Sequence, residues 1–83
     1  MKPIELIGNT PMIQIGDSNV YVKLEGFNPG GSVKDRAVYW MLKRAMERGE
    51  VTRDSVLIEA TSGNTGIALA MLGAQLKLRV IIV

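Results

Sequence analysis

The sequence contains no cysteine and no histidine. The first absence excludes a disulfide framework, a thiolate nucleophile and any cysteine-based metal centre. The second removes the Ser-His-Asp triad and the ordinary zinc sites, so no metal is expected. A dominant charge is missing too. Ten Lys and Arg against eight Asp and Glu leave a net +2, spread along the chain and too small to point to nucleic acid or an anionic membrane as partner. The longest apolar run, residues 67–74, is far short of the ~20 residues a membrane-spanning helix requires. Met1-Lys2-Pro3 is not followed by the apolar core of a secretion signal, so a soluble cytoplasmic protein is the expectation.

What is present is a chain of 83 residues, 47% of them hydrophobic, which is too apolar and too evenly charged for disorder. A chain this short buries only about 60% of its unfolded surface, and it has no covalent or metal staples to make up the difference. There are no repeats, low-complexity tracts or internal boundaries, so residues 1–83 read as one unit.

Gly, Pro, Asn and Asp divide that unit. Residues 4–11 read as a loop ending in the turn Gly8-Asn9-Thr10-Pro11. Residues 12–15 and 20–25 form an expected antiparallel hairpin around Gly16-Asp17-Ser18-Asn19. In its second strand Val20, Val22 and Leu24 alternate with Tyr21, Lys23 and Glu25, the pattern of a half-buried strand. A helix is expected over 33–48. Ser32 is its N-cap, Asp35 completes something close to a capping box, and Gly49 stands at C′. Its apolar stripe is Val38, Met41, Leu42 and Ala45. Residues 55–60 hold a short strand. Residues 66–76 hold a helix apolar almost all round, hence buried on most sides, and 79–83 a β-branched strand. Strand, buried helix and apolar strand make a βαβ unit of a parallel sheet. Two parallel strands and two helices cannot cover both sheet faces, so the chain reads as the opening third or so of a larger α/β protein.

Two loops could carry chemistry. The first is Asn28-Pro29-Gly30-Gly31-Ser32-Val33-Lys34-Asp35-Arg36. It places an ammonium in the first turn of a helix, where the macrodipole and Arg36 both disfavour the charge and Asp35 favours it. An amine discouraged from protonation attacks carbonyl compounds; the plain alternative is a solvated lysine. A P-loop is excluded, because Ser32-Val33 follow Gly31 where Lys and Ser or Thr are needed. The second loop, Glu59-Ala60-Thr61-Ser62-Gly63-Asn64-Thr65-Gly66, joins strand to helix at the carboxyl end of a parallel strand. Its hydroxyls and backbone amides suit a carboxylate or phosphate, or else simply cap the helix. Its glycines do not fit a dinucleotide fingerprint. Tyr39, Trp40 and the five Met read as packing residues, Thr10 as a turn residue, and Glu25 and Glu59 as carboxylates that nothing in the sequence pairs.

Taken in order, Ile7-Gly8-Asn9-Thr10-Pro11, then Lys23-Leu24-Glu25 with 28–36, then Thr61-Ser62-Gly63-Asn64-Thr65-Gly66 resemble the cysteine synthases, the O-acetylserine sulfhydrylases of the fold-type II pyridoxal-phosphate enzymes. The run 59–70 looks especially like the bacterial B type. The resemblance covers essentially the whole chain; cystathionine β-synthase is the next nearest relative. It implies an α/β fold of which this is an N-terminal portion, pyridoxal 5′-phosphate as cofactor, an amino-acid substrate, and a homodimer in the full-length form. It implies that Lys34 bonds the cofactor aldehyde and later removes the substrate α-proton. It further implies that Asn64 meets the ring hydroxyl oxygen, and that Thr61, Ser62, Gly63 and Thr65 bind the substrate carboxylate. The implied reaction is β-replacement: acetate leaves and sulfide adds at Cβ to give cysteine. The phosphate cup and the partner of the pyridine nitrogen belong to parts of the family outside these motifs. The 83 residues alone are therefore expected to be inactive, leaving a non-catalytic module that binds an anion or a protein as the other reading.

Overall fold

A computed structural model describes residues 2–61 and 63–83. Strands β1 (Met12–Gln14) and β2 (Tyr21–Lys23) pair antiparallel, with Ile13 opposite Val22. Helix α1 spans Lys34–Glu47. Strand β3 (Val56–Glu59), helix α2 (Asn64–Leu76) and strand β4 (Arg79–Ile82) follow, and β3 and β4 pair in parallel with Leu57 opposite Val80. The expected hairpin, helix and βαβ unit are all present in the expected order.

The core lies between the two helices and the parallel pair. Val38 and Leu42 of α1 meet Ala68, Leu69 and Leu72 of α2, and Leu57 and Val80 close the cluster from the sheet. Helix α2 is thus the middle layer, which is why its composition is apolar almost all round. Gly73 permits the contact with β4, since a Cβ there would collide with the Val80 side chain. A strip of α2 still faces outward, with Ile67 53% exposed, so the expectation of burial on most sides holds only in part. The outer face of the parallel pair is bare, with Ile58 and Ile81 exposed, as expected for two strands covered on one face.

Four local readings need correction. Residues Pro3–Leu6 form a 3₁₀ turn where a plain loop was expected; Pro3 suits a first helical position. The hairpin strands are exposed throughout rather than half-buried, because no second layer packs on them. The Cα radius of gyration of 14.8 Å, against about 12 Å for a compact chain of this length, reflects that projection. In the expected apolar stripe of α1, Met41 is exposed: a single helix packed on its inner face buries a narrower stripe than the sequence offers. Finally, the residue preceding α1 is Val33, with no side-chain cap. Ser32 Oγ instead accepts the Lys34 N–H at 3.2 Å, and Asp35 does not reach back to close a capping box. The C-terminal reading holds, with Gly49 at φ 74° just past the last turn. Among the described residues no helix is long and apolar enough to cross a membrane.

Candidate active site

The segment before Lys34 is held by a polar network that sequence reasoning did not find. Arg36 donates to Glu25, from Nη2 to Oε1 at 2.8 Å and from Nε to Oε2 at 2.9 Å. The same Nη2 donates to the Gly8 carbonyl at 2.9 Å. Asn28, almost fully buried, ties the rest together. Its Oδ1 accepts the Gly8 N–H, and its Nδ2 lies within hydrogen-bond reach of the Glu25 carboxylate, the Glu25 carbonyl and the Ser32 carbonyl. Thr10 is also buried and donates to Glu25 at 3.2 Å, while Lys23 Nζ donates to the Thr10 carbonyl. Gly8 sits at φ 82° hard against the Arg36 guanidinium, where a side chain would not fit.

This network corrects two expectations. Glu25, read as unpaired, is the acceptor at the centre. The Arg36 guanidinium, seconded by Asn28 and Thr10 against the opposing effect of burial, lowers its pKa from 4.5 to about 2. Thr10 is part of the network rather than a turn residue alone. The hydrogen bond to Glu25 likewise raises the Arg36 pKa. Arg36 is therefore committed to Glu25 and Gly8, not to its neighbour Lys34. The signal that could have found this was the order of the polar residues: Glu25, Asn28 and Arg36 around a Gly-Gly pair offer an acceptor, a bridge and a fork donor.

Lys34, at the start of α1, is exposed. Among the described residues its Nζ makes no hydrogen bond or ion pair. The amine presents itself as the free group of the loop, while Asp35 and Arg36 turn back to brace it.

The second loop is built differently. Gly63 precedes α2, and among the described residues no side chain caps the helix. Thr61 Oγ1 accepts the Gly63 N–H at 3.2 Å, and the Thr61 N–H donates to the Val83 carbonyl. Gly63 and Asn64 are exposed, and a Cβ at Gly63 would meet open space. A pocket of about 300 Å³ opens there, lined by Thr61, Gly63, Gly66, Ile67, Ala70 and Ile82. Thr65, half-buried, faces a narrow seam with Val38, Met41 and Leu42 of α1. Ser62, the remaining residue assigned to the carboxylate, lies outside the described residues.

The fold thus gathers Thr61, Gly63, Asn64 and Thr65 at one helix start, and packs that helix on α1 one turn below Lys34. No hydrogen bond among the described residues joins Lys34 to the second loop. The larger hollow of about 680 Å³ on the outer face of α1, lined by Trp40, Met41 and Arg44 among others, contains none of these residues. As a donor set, an exposed primary amine and a glycine-opened helix start fit the aldehyde of pyridoxal phosphate and the carboxylate of an amino acid.

Comparison with known proteins agrees with that chemistry. The family of pyridoxal-phosphate dependent enzymes matches residues 4–83. Cysteine synthase B of Salmonella typhimurium is 55% identical over 76 residues, covering 84% of this chain and 25% of that protein. A hydrogen sulfide-producing enzyme from Fusobacterium nucleatum superposes with a TM-score of 0.89 at 48% identity, over 96% of this chain and 28% of that one. The O-acetylserine dependent cystathionine beta-synthase from Helicobacter pylori superposes at 0.85 with 38% identity, over 96% and 29%. The chain spans about a quarter of the length of the curated relatives it matches.

Proposed function

Because this chain belongs to the family of pyridoxal-phosphate dependent enzymes, we propose that it carries the reactive lysine and the substrate-carboxylate loop of a cysteine synthase. The reaction is β-replacement on O-acetylserine with sulfide. The 83 residues form one N-terminal portion of that enzyme, which works in the cytoplasm as a homodimer; alone they are inactive. The observation that carries the reading is the pairing of an exposed Lys34 with a glycine-opened start of α2 on adjacent packed helices, no side chain among the described residues pairing with Lys34 Nζ or capping that helix.

Each residue has a task in that scheme. Lys34 Nζ would hold the cofactor by its aldehyde, and once the substrate amino group had displaced it there, the freed amine would take the proton from the substrate α-carbon. Thr61, Ser62, Gly63 and Thr65 bind the carboxylate with hydroxyl and amide donors, assisted by the positive end of α2. Asn64 would donate to the cofactor's ring hydroxyl oxygen. The cofactor, when bound, supplies the electron sink that makes the α-proton acidic. The carboxylate loop fixes the direction of the substrate, so that its α-proton meets one amine rather than solvent.

A second reading, cystathionine β-synthase-type β-replacement, is favoured by the match to the Helicobacter pylori structure. It uses the same residues with a different sulfur nucleophile. The test of both is to incubate the protein with pyridoxal phosphate, reduce with borohydride and map the labelled peptides. Labelling concentrated on Lys34 and lost in Lys34→Ala is the expected result. Labelling spread evenly over the five lysines would leave the chain as a non-catalytic binding module.

A further inference from the structure

The residue after Lys34 has the one buried side chain among the described residues with a polar atom left without a hydrogen-bond partner. Asp35 is fully buried, at 0% exposure. Its Oδ2 accepts the backbone N–H of Gly30. Its Oδ1 is buried without a hydrogen-bond partner among the described residues. The carboxylate lies directly against Gly30, where an added Cβ would collide with both oxygens and Cγ.

Burying a carboxylate with one oxygen idle is costly. The positive end of α1 offsets part of the cost, since Asp35 lies in its first turn. The apolar cluster of the core does not include it. What the carboxylate does contact is the Gly30-Gly31 turn, which has Gly31 at φ 90° and leads straight into Lys34. Successive residues of a helix diverge by about 100° around its axis. Turning Asp35 inward therefore turns Lys34 outward.

Resting on the reading of Lys34 as the cofactor amine, we propose that Asp35 is a positioning residue. Its buried carboxylate pins the Gly30-Gly31 turn to the first turn of α1, and so sets the direction in which Lys34 leaves the helix. Gly30 is the matching half of the clamp, because only a residue without a side chain lets its N–H reach Oδ2. The working feature is the acceptor and its shape, so asparagine substitutes for aspartate and alanine does not.

The experiment uses the whole chain and two readouts. Pyridoxal phosphate followed by borohydride gives the selectivity of labelling at Lys34 over Lys2, Lys23, Lys43 and Lys77. Hydrogen exchange gives the protection of the Gly30 amide. Asp35→Ala is expected to lower the selectivity about tenfold, as a misplaced reactive group does, and to expose the Gly30 amide. Asp35→Asn is expected to keep the amide protected and to hold selectivity within about threefold of native. Gly30→Ala opens the clamp from the other side and is expected to behave like Asp35→Ala, which keeps the test decisive if Asp35→Ala does not fold. A folded Asp35→Ala or Gly30→Ala protein with native selectivity would overturn the proposal, as would an unprotected Gly30 amide in the native protein. Even labelling of the native protein would instead overturn the functional reading. In that case Gly30 protection, lost in Asp35→Ala, would still establish the clamp.

Discussion

The two loops that flank the candidate site solve opposite problems. The lysine loop is cross-braced: Glu25, Asn28, Asp35 and Arg36 tie residues 8–10 and the Gly-Gly turn to α1. The carboxylate loop, among the described residues, has one hydroxyl bond within itself and two backbone bonds to Val83, one from the Thr61 N–H and one to the Glu59 carbonyl, and Gly63 at its helix start has no side chain to cap with. A group that must form a covalent bond gains from being held in one direction before its partner arrives. A group that must receive a charged ligand gains from keeping its donors uncommitted. On the proposed function, the contrast matches bracing to the amine and availability to the anion site, and it can be broken one loop at a time.

The largest expected effect is in the braced loop. Asn28→Ala removes four contacts at a residue only 4% exposed, and leaves the Gly8 N–H without its acceptor. A loss of about 2–3 kcal/mol is expected, read as a lower urea midpoint with an unchanged slope. Equal midpoints for Asn28→Ala and the native chain would show that the brace contributes nothing to stability.

Acid should loosen the same loop more gently. Because the native pKa of Glu25 is lowered from 4.5 to about 2, its stabilising contribution is fully present above pH ~4.5 and is lost as pH falls toward ~2. Other carboxylates titrate in that window, so the comparison is with Glu25→Gln. The native midpoint is expected to exceed that of the variant near neutral pH and to converge on it toward pH 2. A constant gap between the two would contradict the assigned cause. Arg36 and Glu25 are both partly exposed, so added salt is expected to narrow the gap as well.

How much of this was legible in the sequence follows from the range of each signal. The βαβ unit could be read because its determinants are local: a β-branched strand, a long apolar helix and a glycine-opened turn between them. The end of α1 could be read for the same reason, since Gly49 supplies the left-handed conformation its position requires. The brace could not, because Gly8, Thr10, Glu25 and Arg36 are brought together only by the path of the chain. The start of α1 was misread because Ser32 and Asp35 have capping spacing, yet the Asp35 carboxylate accepts the Gly30 N–H instead of closing the cap. The exposure of the hairpin was misread because alternation reports which face is apolar, not whether anything covers it. The site residues were assigned through the family resemblance that the ordered motifs carry; among the described ones, Lys34 opens α1 and Thr61, Gly63, Asn64 and Thr65 gather at the start of α2, which packs on α1.

The smallest expected effect on stability tests the open loop. Asn64 is exposed at the first position of α2, and among the described residues its side chain makes no hydrogen bond. Asn64→Ala should therefore shift the urea midpoint by less than about 0.5 kcal/mol in stability. On the proposed role of Asn64, its effect should appear only in the loaded full-length enzyme, as a change in the visible absorption of the bound cofactor. Thr61→Val in the same protein should leave that absorption alone and weaken substrate binding, if Thr61 serves the carboxylate as proposed. An Asn64→Ala enzyme with native absorption would remove Asn64 from the cofactor while leaving the carboxylate loop intact. A large loss of stability in Asn64→Ala would mean that the second loop is braced after all, and the division of labour between the two loops would fail.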